Sequence, residues 1–306
     1  MFVCASLMVA LCFSLPSEAG SFSAEEGFNA LSDLEHSTLS MADTQRANAI
    51  ATLYAELFPA AFGEEALKQR SDDDLHYLFR SAWLANFYTT DPNVVHDMSH
   101  AFAELQKRNI AKRDDYQKLY GAFIGARMLT EAGDFFAQYQ AMGLDALPAF
   151  REAPDINPGV PSEWVVNPVA PELLRQPFVF GASARVLVVS HPLCHFTQNA
   201  VRDIFADPQL STVFAERAHW LAPQSQRLQV ELFQQWNRDH PQAPMSIAYE
   251  ESEWPMLDEW ATPIFYFFRD GALISKVVGW PAEGHRDELR DALRQIGLLK
   301  QDAPTN

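Results

Sequence analysis

Apolar residues recur at helical spacing along the first half of this chain, and at the strand period along the last third. Ser23, with Glu26 three positions on, predicts a capped helix near 24–36. Thr44 is expected to cap a second helix near 45–58. The stretch 73–88 carries Leu75, Leu78, Phe79, Trp83 and Phe87 on one stripe behind a run of acids that suits a helix start. Asp91-Pro92 opens another, with Val95, Met98, Phe102 and Leu105 on its stripe. A further helix is expected over 114–131, separated by Gly133 from the apolar run FFAQYQAM. These segments predict short antiparallel helices in a bundle or a helical-repeat array. The passage YGAFIGARMLTEAGDFFAQYQ resembles a tetratricopeptide-type helix pair. Its aromatic stripes read first as core and second as the lining of a peptide groove.

Prolines at 148, 154, 158, 161, 168, 171 and 177 forbid a helix through the middle of the chain. That stretch reads as a structured connection wrapping the surface, with a short strand near Phe178-Val179-Phe180. From 184 onward strands and helices alternate. Strands are expected at 184–190, 218–221, 245–249, 263–268 and 273–278, with helices at 196–205, 225–238 and 285–296. Asp270-Gly271 marks a hairpin between the last two strands. The fold class is therefore α+β: an amino-terminal all-α domain, then an α/β domain with a mixed sheet.

The extreme amino terminus differs from both regions. Residues 2–15 form one apolar run, too short to span a membrane comfortably, followed by Pro16 and small residues at Ser17 and Ala19. Residues 1–19 are expected to be a secretory signal, although no Lys or Arg precedes the run. The expected organisation is a signal at 1–19, a helical domain at 20–145, a proline-rich structured linker at 146–177 and the α/β domain at 178–306. A periplasmic or secreted location follows from that signal.

Composition narrows the function. The chain has 306 residues, 48% of them hydrophobic, so it has enough apolar material for packed cores. Forty acidic against 23 basic residues give a formal charge of −17, which disfavours nucleic acid and anionic lipid as partners. GASAR at 181–185 precedes a strand and so lacks the context of a phosphate loop. There is no Gly-x-Ser-x-Gly elbow. His96 and His100 share a helix face, but HDMSH lacks the acidic residue of a metalloprotease helix. His76 carries no further signal. Of three cysteines, Cys4 and Cys12 lie in the expected signal and Cys194 stands alone behind it. A single thiol in an oxidising compartment is buried, reactive, metal-bound or paired with another molecule.

Cys194 lies in SHPLCHFTQNAV, between a hydrophobic strand and a helix, and Ala261-Thr262-Pro263 precedes an apolar strand and the Asp-Gly hairpin. On these two motifs the last 40% or so of the chain resembles a thioredoxin-fold domain of the secreted or periplasmic thiol-disulfide branch. The resemblance implies that Pro263 is cis and faces Cys194, and that Thr262 and Pro263 present a substrate backbone. The line departs from Cys-x-x-Cys: it reads Cys194-His195-Phe196-Thr197. A Cys at a helix start is a sound nucleophile, because free backbone N–H groups and the helix dipole favour its thiolate. His195 can add positive charge and Thr197 a hydroxyl hydrogen bond, but Thr197 cannot resolve a mixed disulfide.

Three readings follow. The first is thiol–disulfide chemistry on a protein or peptide, with Cys194, His195 and Thr197 as catalytic residues, Thr262 and Pro263 holding substrate, and no cofactor. The second is a redox-inactive binding or scaffold module of the same fold. The third is a copper or zinc protein using His191, Cys194 and His195, with His219, His240 or His285 as outside contributors. The acids Glu250, Glu251, Glu253, Asp258 and Glu259 are expected to be a solvated lead-in to the loop before Pro263.

Overall fold

The computed structural model describes residues 23–300 apart from position 182. The expected signal and its two cysteines lie outside the described residues.

The amino-terminal region is all helical. It comprises α1 (Ala24–Ser37), α2 (Asp43–Leu57), α3 (Glu64–Lys68), α4 (Asp72–Thr89), α5 (Pro92–Lys107), α6 (Arg113–Gly125) and α7 (Leu129–Tyr139). The capping box forms as expected: Glu26 N–H donates to Ser23 Oγ at 3.1 Å and Ser23 N–H to Glu26 Oε2 at 3.0 Å. Helix α4 packs against α1, α2, α5 and α6, and buries Leu75, Leu78 and Phe79. Trp83 is only partly buried and Phe87 is 56% exposed, so the predicted stripe is core along its first turns alone.

Two helix boundaries differ from expectation. Thr44 does not cap α2, because the helix already begins at Asp43 with Ala42 in the cap position. The helix expected over 114–131 is two helices, and Gly133 lies inside the second. The break falls at Arg127, which adopts a left-handed backbone with φ 58°. Its guanidinium explains the break. Nη1 donates to Ile124 O at 3.1 Å, closing α6, while Nη2 donates to Ala248 O at 3.0 Å and Nε to Tyr249 O. The group also lies 4.3 Å from the centroid of the Trp164 ring. One side chain thus ends a helix and rivets it to the carboxy-terminal region.

That region is built on an eight-stranded mixed sheet. Its strands are β1 (Ala149–Glu152), β2 (Ser162–Val166), β3 (Glu172–Pro177), β4 (Arg185–Val189), β5 (Ala218–Ala222), β6 (Met245–Ala248), β7 (Ile264–Arg269) and β8 (Ala272–Val278). Their order is β1-β3-β2-β6-β5-β4-β7-β8. The adjacent pairs β4–β5 and β5–β6 are parallel; β7 runs antiparallel to β4, and β8 to β7. The Asp270-Gly271 turn joins the last two strands, both residues at positive φ as a tight hairpin requires.

The proline-rich stretch is not a surface connection. It supplies β1, β2 and β3, and β2 pairs antiparallel with β6 to extend the sheet. The prolines lie between these strands or at their ends, where no ladder donor is needed. The strand expected at 178–180 ends instead at Pro177.

Helices α8 (His195–Ala206), α9 (Pro208–Arg217), α10 (Val230–Asp239) and α11 (Arg286–Gln295) complete the domain. Helix α9 was not expected; Asp207 caps it by accepting from Gln209 N and Leu210 N. Helix α10 starts at Val230 rather than near 225. Successive sheet residues alternate between two cores. Val186, Val188, Trp220, Phe265 and Phe267 join a core with α8, α9 and α11 that continues into the helical region. Leu187, Val189, Leu221, Ile264 and Tyr266 face the other way, beneath Phe178, Trp254 and Leu257.

Burial lowers the Arg127 pKa to about 10, far enough above neutrality that the group stays charged. Replacing Arg127 with Met is expected to lower unfolding free energy by about 2–4 kcal/mol, since buried carbonyls lose their donor. Arg127→Lys is expected to lose most of the same amount, because an ammonium cannot span these acceptors. Urea denaturation checks both; wild-type midpoints in the two variants would contradict this role for Arg127.

Candidate functional site around Cys194

The register of two neighbouring strands assembles the site. Val189, the last residue of β4, pairs with Ile264, the first of β7. The residues just after β4 and just before β7 therefore lie at one edge of the sheet. Cys194 follows β4 through a turn closed by its own N–H to His191 O at 3.0 Å, and it takes the N-cap position of α8. Thr262-Pro263 precedes β7, and that peptide bond is cis. Across 68 positions of sequence, Cys194 Sγ donates to Thr262 O at 3.1 Å. The two motifs singled out in the sequence thus meet.

The thiol is partly buried and free. Burial alone pushes its pKa up, but the Thr262 side chain, the Thr197 N–H and hydroxyl, and the Phe196 N–H together outweigh it. The net position is below that of an ordinary cysteine. The N–H contributions are those of the unfilled first turn of α8, where the helix dipole also favours an anion. Opposing them, the thiol's own bond to the Thr262 carbonyl holds the proton in the resting state. Thr197 is fully buried, and its Oγ1 meets hydrogen-bond geometry with no described residue, the sulfur included, so it acts on the thiol by proximity rather than through a formed bond. The sulfur is the group that this hydroxyl can serve.

The two flanking histidines do not converge with the sulfur as ligands. His191 Nδ1 faces the Leu193 N–H at 3.2 Å, and its ring meets Phe233 edge-on at 5.7 Å. Burial lowers the His191 pKa, so the ring is neutral near neutral pH. His195 is exposed, with its ring 3.8 Å from that of Phe196. His219 pairs with Glu163 at 2.6 Å, His240 stacks on Trp236 at 3.9 Å, and His285 meets Glu288 at 3.3 Å. Among the described residues no three His, Cys, Asp or Glu side chains are grouped to hold a metal ion, and this includes His76, His96 and His100.

The acidic lead-in is more structured than its composition suggested. Glu253 is buried, paired with Arg175 at 2.8 Å and accepting from Ser162 Oγ at 2.6 Å. Lys276 bridges Asp258 and Glu259 at 2.7 Å each, and Glu259 N–H donates to Tyr266 Oη at 3.1 Å. These links brace the loop that carries Thr262.

Two features of the site escaped the sequence reading. Leu193 and Phe196 stand 60% and 45% exposed on either side of the thiol, an apolar rim in a segment read only for its polar chemistry. The helical region also reaches the site: Trp260 N–H donates to Asp43 Oδ2 at 2.7 Å, two residues before Thr262. The first was legible in the heptapeptide around Cys194; the second joins positions 217 apart and has no local signal.

Compared with known proteins, the chain matches no family model, no curated protein and no solved structure. No helix among the described residues is long and apolar enough to cross a membrane.

The alkylation rate of Cys194 against pH is expected to show a midpoint below the value of about 8.5 for a free thiol. Thr197→Val, which keeps the shape and removes the hydroxyl, is expected to move that midpoint upward. A wild-type midpoint at or above the free-thiol value would contradict the assigned hydrogen bonding.

Proposed function

We propose that this protein is a secreted or periplasmic thioredoxin-like protein that acts on a protein thiol or disulfide through Cys194. The observation that carries this reading is the approach of Sγ, at the first turn of α8, to Thr262 O beside Pro263. The arrangement of strands, helices and final hairpin from β4 to α11 supports the same family resemblance, as does the lowered thiol pKa.

The chemistry is a single exchange. The Cys194 thiolate attacks one sulfur of a substrate disulfide; that S–S bond breaks, a Cys194–substrate disulfide forms, and the displaced thiolate takes a proton from water. Thr197 stabilises the attacking anion, Thr262 and Pro263 present the substrate backbone, and His195 adds charge at the rim when protonated. A second thiol, on the substrate or in solution, attacks the mixed disulfide and returns Cys194 to the reduced state. Position 197 cannot do so, which makes the adduct long-lived.

The rival reading is a redox-inactive binding module, favoured by the bond that already satisfies the thiol at Thr262. Mixing the reduced protein with a disulfide-bonded unfolded polypeptide separates the two. A mixed disulfide at Cys194 is expected to form at least ten times faster than with a free-cysteine peptide at pH 7, and to be absent in Cys194→Ser. Thr197→Cys is expected to release the polypeptide without added thiol. A wild-type rate no faster than that of the peptide would leave the binding module as the better account.

A further inference from the structure

The chain leaving β5 emerges beside the chain leaving β4, because Leu221 pairs with Val189 in parallel register. It passes α6 before it enters α10. Gly121 and Gly125, one turn apart on α6, leave the notch in which it lies. A Cβ on Gly121 would come within 3.3 Å of Gln226 Oε1, and one on Gly125 within 2.9 Å of Gln226 Cγ. The segment 143–148 is fixed to the same helix: Tyr120 Oη donates to Asp145 O at 2.6 Å, and Arg113 Nε to Met142 O at 2.9 Å. Between α6 and these two segments lies a cleft of about 780 Å³, with Trp83 of α4 in its wall. Bonds within the chain hold this frame, so a ligand need not order it.

Three glutamines line the cleft with amides that the fold leaves unused. Gln226 Nε2 is enclosed and has no hydrogen-bond acceptor among the described residues. Gln229 takes the N-cap position of α10 without a side-chain capping bond. Gln117 Nε2 reaches Gly143 O only at 3.5 Å. An enclosed donor without an acceptor is costly, and a carbonyl would relieve it. Each amide offers a donor beside an acceptor, the same pair that a peptide bond presents. Ile124, Leu144, Leu147 and Leu232 add apolar lining.

The charges do not select an ion. Lys118 is paired with Asp114 at 2.6 Å, its Nζ lying 4.6 Å from the centroid of the Trp83 ring. Arg227, Asp145 and Glu231 remain, all exposed and of mixed sign. A carboxylate or an amine would meet attraction and repulsion together.

We propose that this cleft binds an uncharged, extended segment of polypeptide. A main-chain carbonyl accepts from the Gln226 amide, and apolar side chains rest against Ile124, Leu144, Leu147 and Leu232. The volume falls in the range of about 300–1,000 Å³ typical of ligand sites, room for a few residues. Phe87, 56% exposed and 6.5 Å from the Trp83 ring, carries apolar surface further along α4 for a longer segment. The peptide site does not depend on thiol chemistry. Helix α10 meets the turn before Cys194 through Phe233 and His191, so under the proposed function a polypeptide substrate rests here; that consequence alone depends on the thiol reading.

Isothermal titration of the full chain carrying Cys194→Ser, which removes the thiol from the readout, tests this with an end-blocked hexapeptide of alternating leucine and serine. Saturable binding is expected, with slowed amide exchange over residues 143–148 and 226–232. Ala146→Trp fills the cleft from an exposed position and is expected to abolish binding. Gln226→Leu removes the donor and is expected to weaken affinity by about threefold to tenfold. Should Gln226→Leu fold poorly, Ala146→Trp keeps the test. No binding in the parent, or an unchanged affinity in either folded variant, would overturn the proposal. So would octanoate, an apolar anion, occupying the cleft while the peptide does not. Peptide binding beside an inert Cys194 would reject the thiol chemistry alone, and disulfide exchange without peptide binding would reject the cleft alone.

Discussion

The antiparallel pairing of β4 with β7 is the constraint on which the site depends. Its register sets Val189 opposite Ile264, so the chain leaving one strand and the chain entering the other share an edge. Nothing nearer in sequence holds Cys194 against Thr262. The pairing is itself secured from both sides, because the alternate residues of these strands enter two different cores. A slip of one residue would exchange the two sets of side chains and also part the sulfur from its acceptor.

The same edge receives the helical region, whose Asp43 holds Trp260 in the loop before Thr262. Arg127 shows how an interface between helices and a sheet edge can be satisfied. The strand ends present carbonyls, and a planar guanidinium answers several of them at once while its face lies on Trp164. Two carboxylates, Glu250 and Glu251, and one cation, Arg175, act on its charge. Glu253, Asp258 and Glu259 are neutralised by Arg175 and Lys276 and brace the loop before Pro263. Glu251 is tied at the same junction by its two bonds with Gln224.

Position 197 defines how the site differs from a dithiol centre. A buried hydroxyl without another partner lowers the energy of the adjacent sulfur anion but offers no second sulfur. Under the proposed thiol exchange, activation and resolution are thus separated, and the resolving group comes from outside this site.

Sequence alone determined the elements whose cause is local. The capping box at Ser23, the β-branched run of β4, the Asp-Gly hairpin and the helix start at Cys194 each follow from neighbouring side chains and backbone preferences. It also placed Cys194, Thr197, Thr262 and Pro263 in the two motifs that meet. Tertiary structure decided what depends on distant partners. The helix expected through 131 breaks because Arg127 is drawn to carbonyls 121 and 122 positions away. The proline-rich stretch becomes three strands because β6 offers it an edge. The acids before Pro263 are braced by Arg175 and Lys276, and Asp43 leaves its own helix start to hold Trp260. Periodicity reports which face of an element is apolar, but the partner of a polar group is a matter of three-dimensional proximity, and no spacing along the chain encodes it.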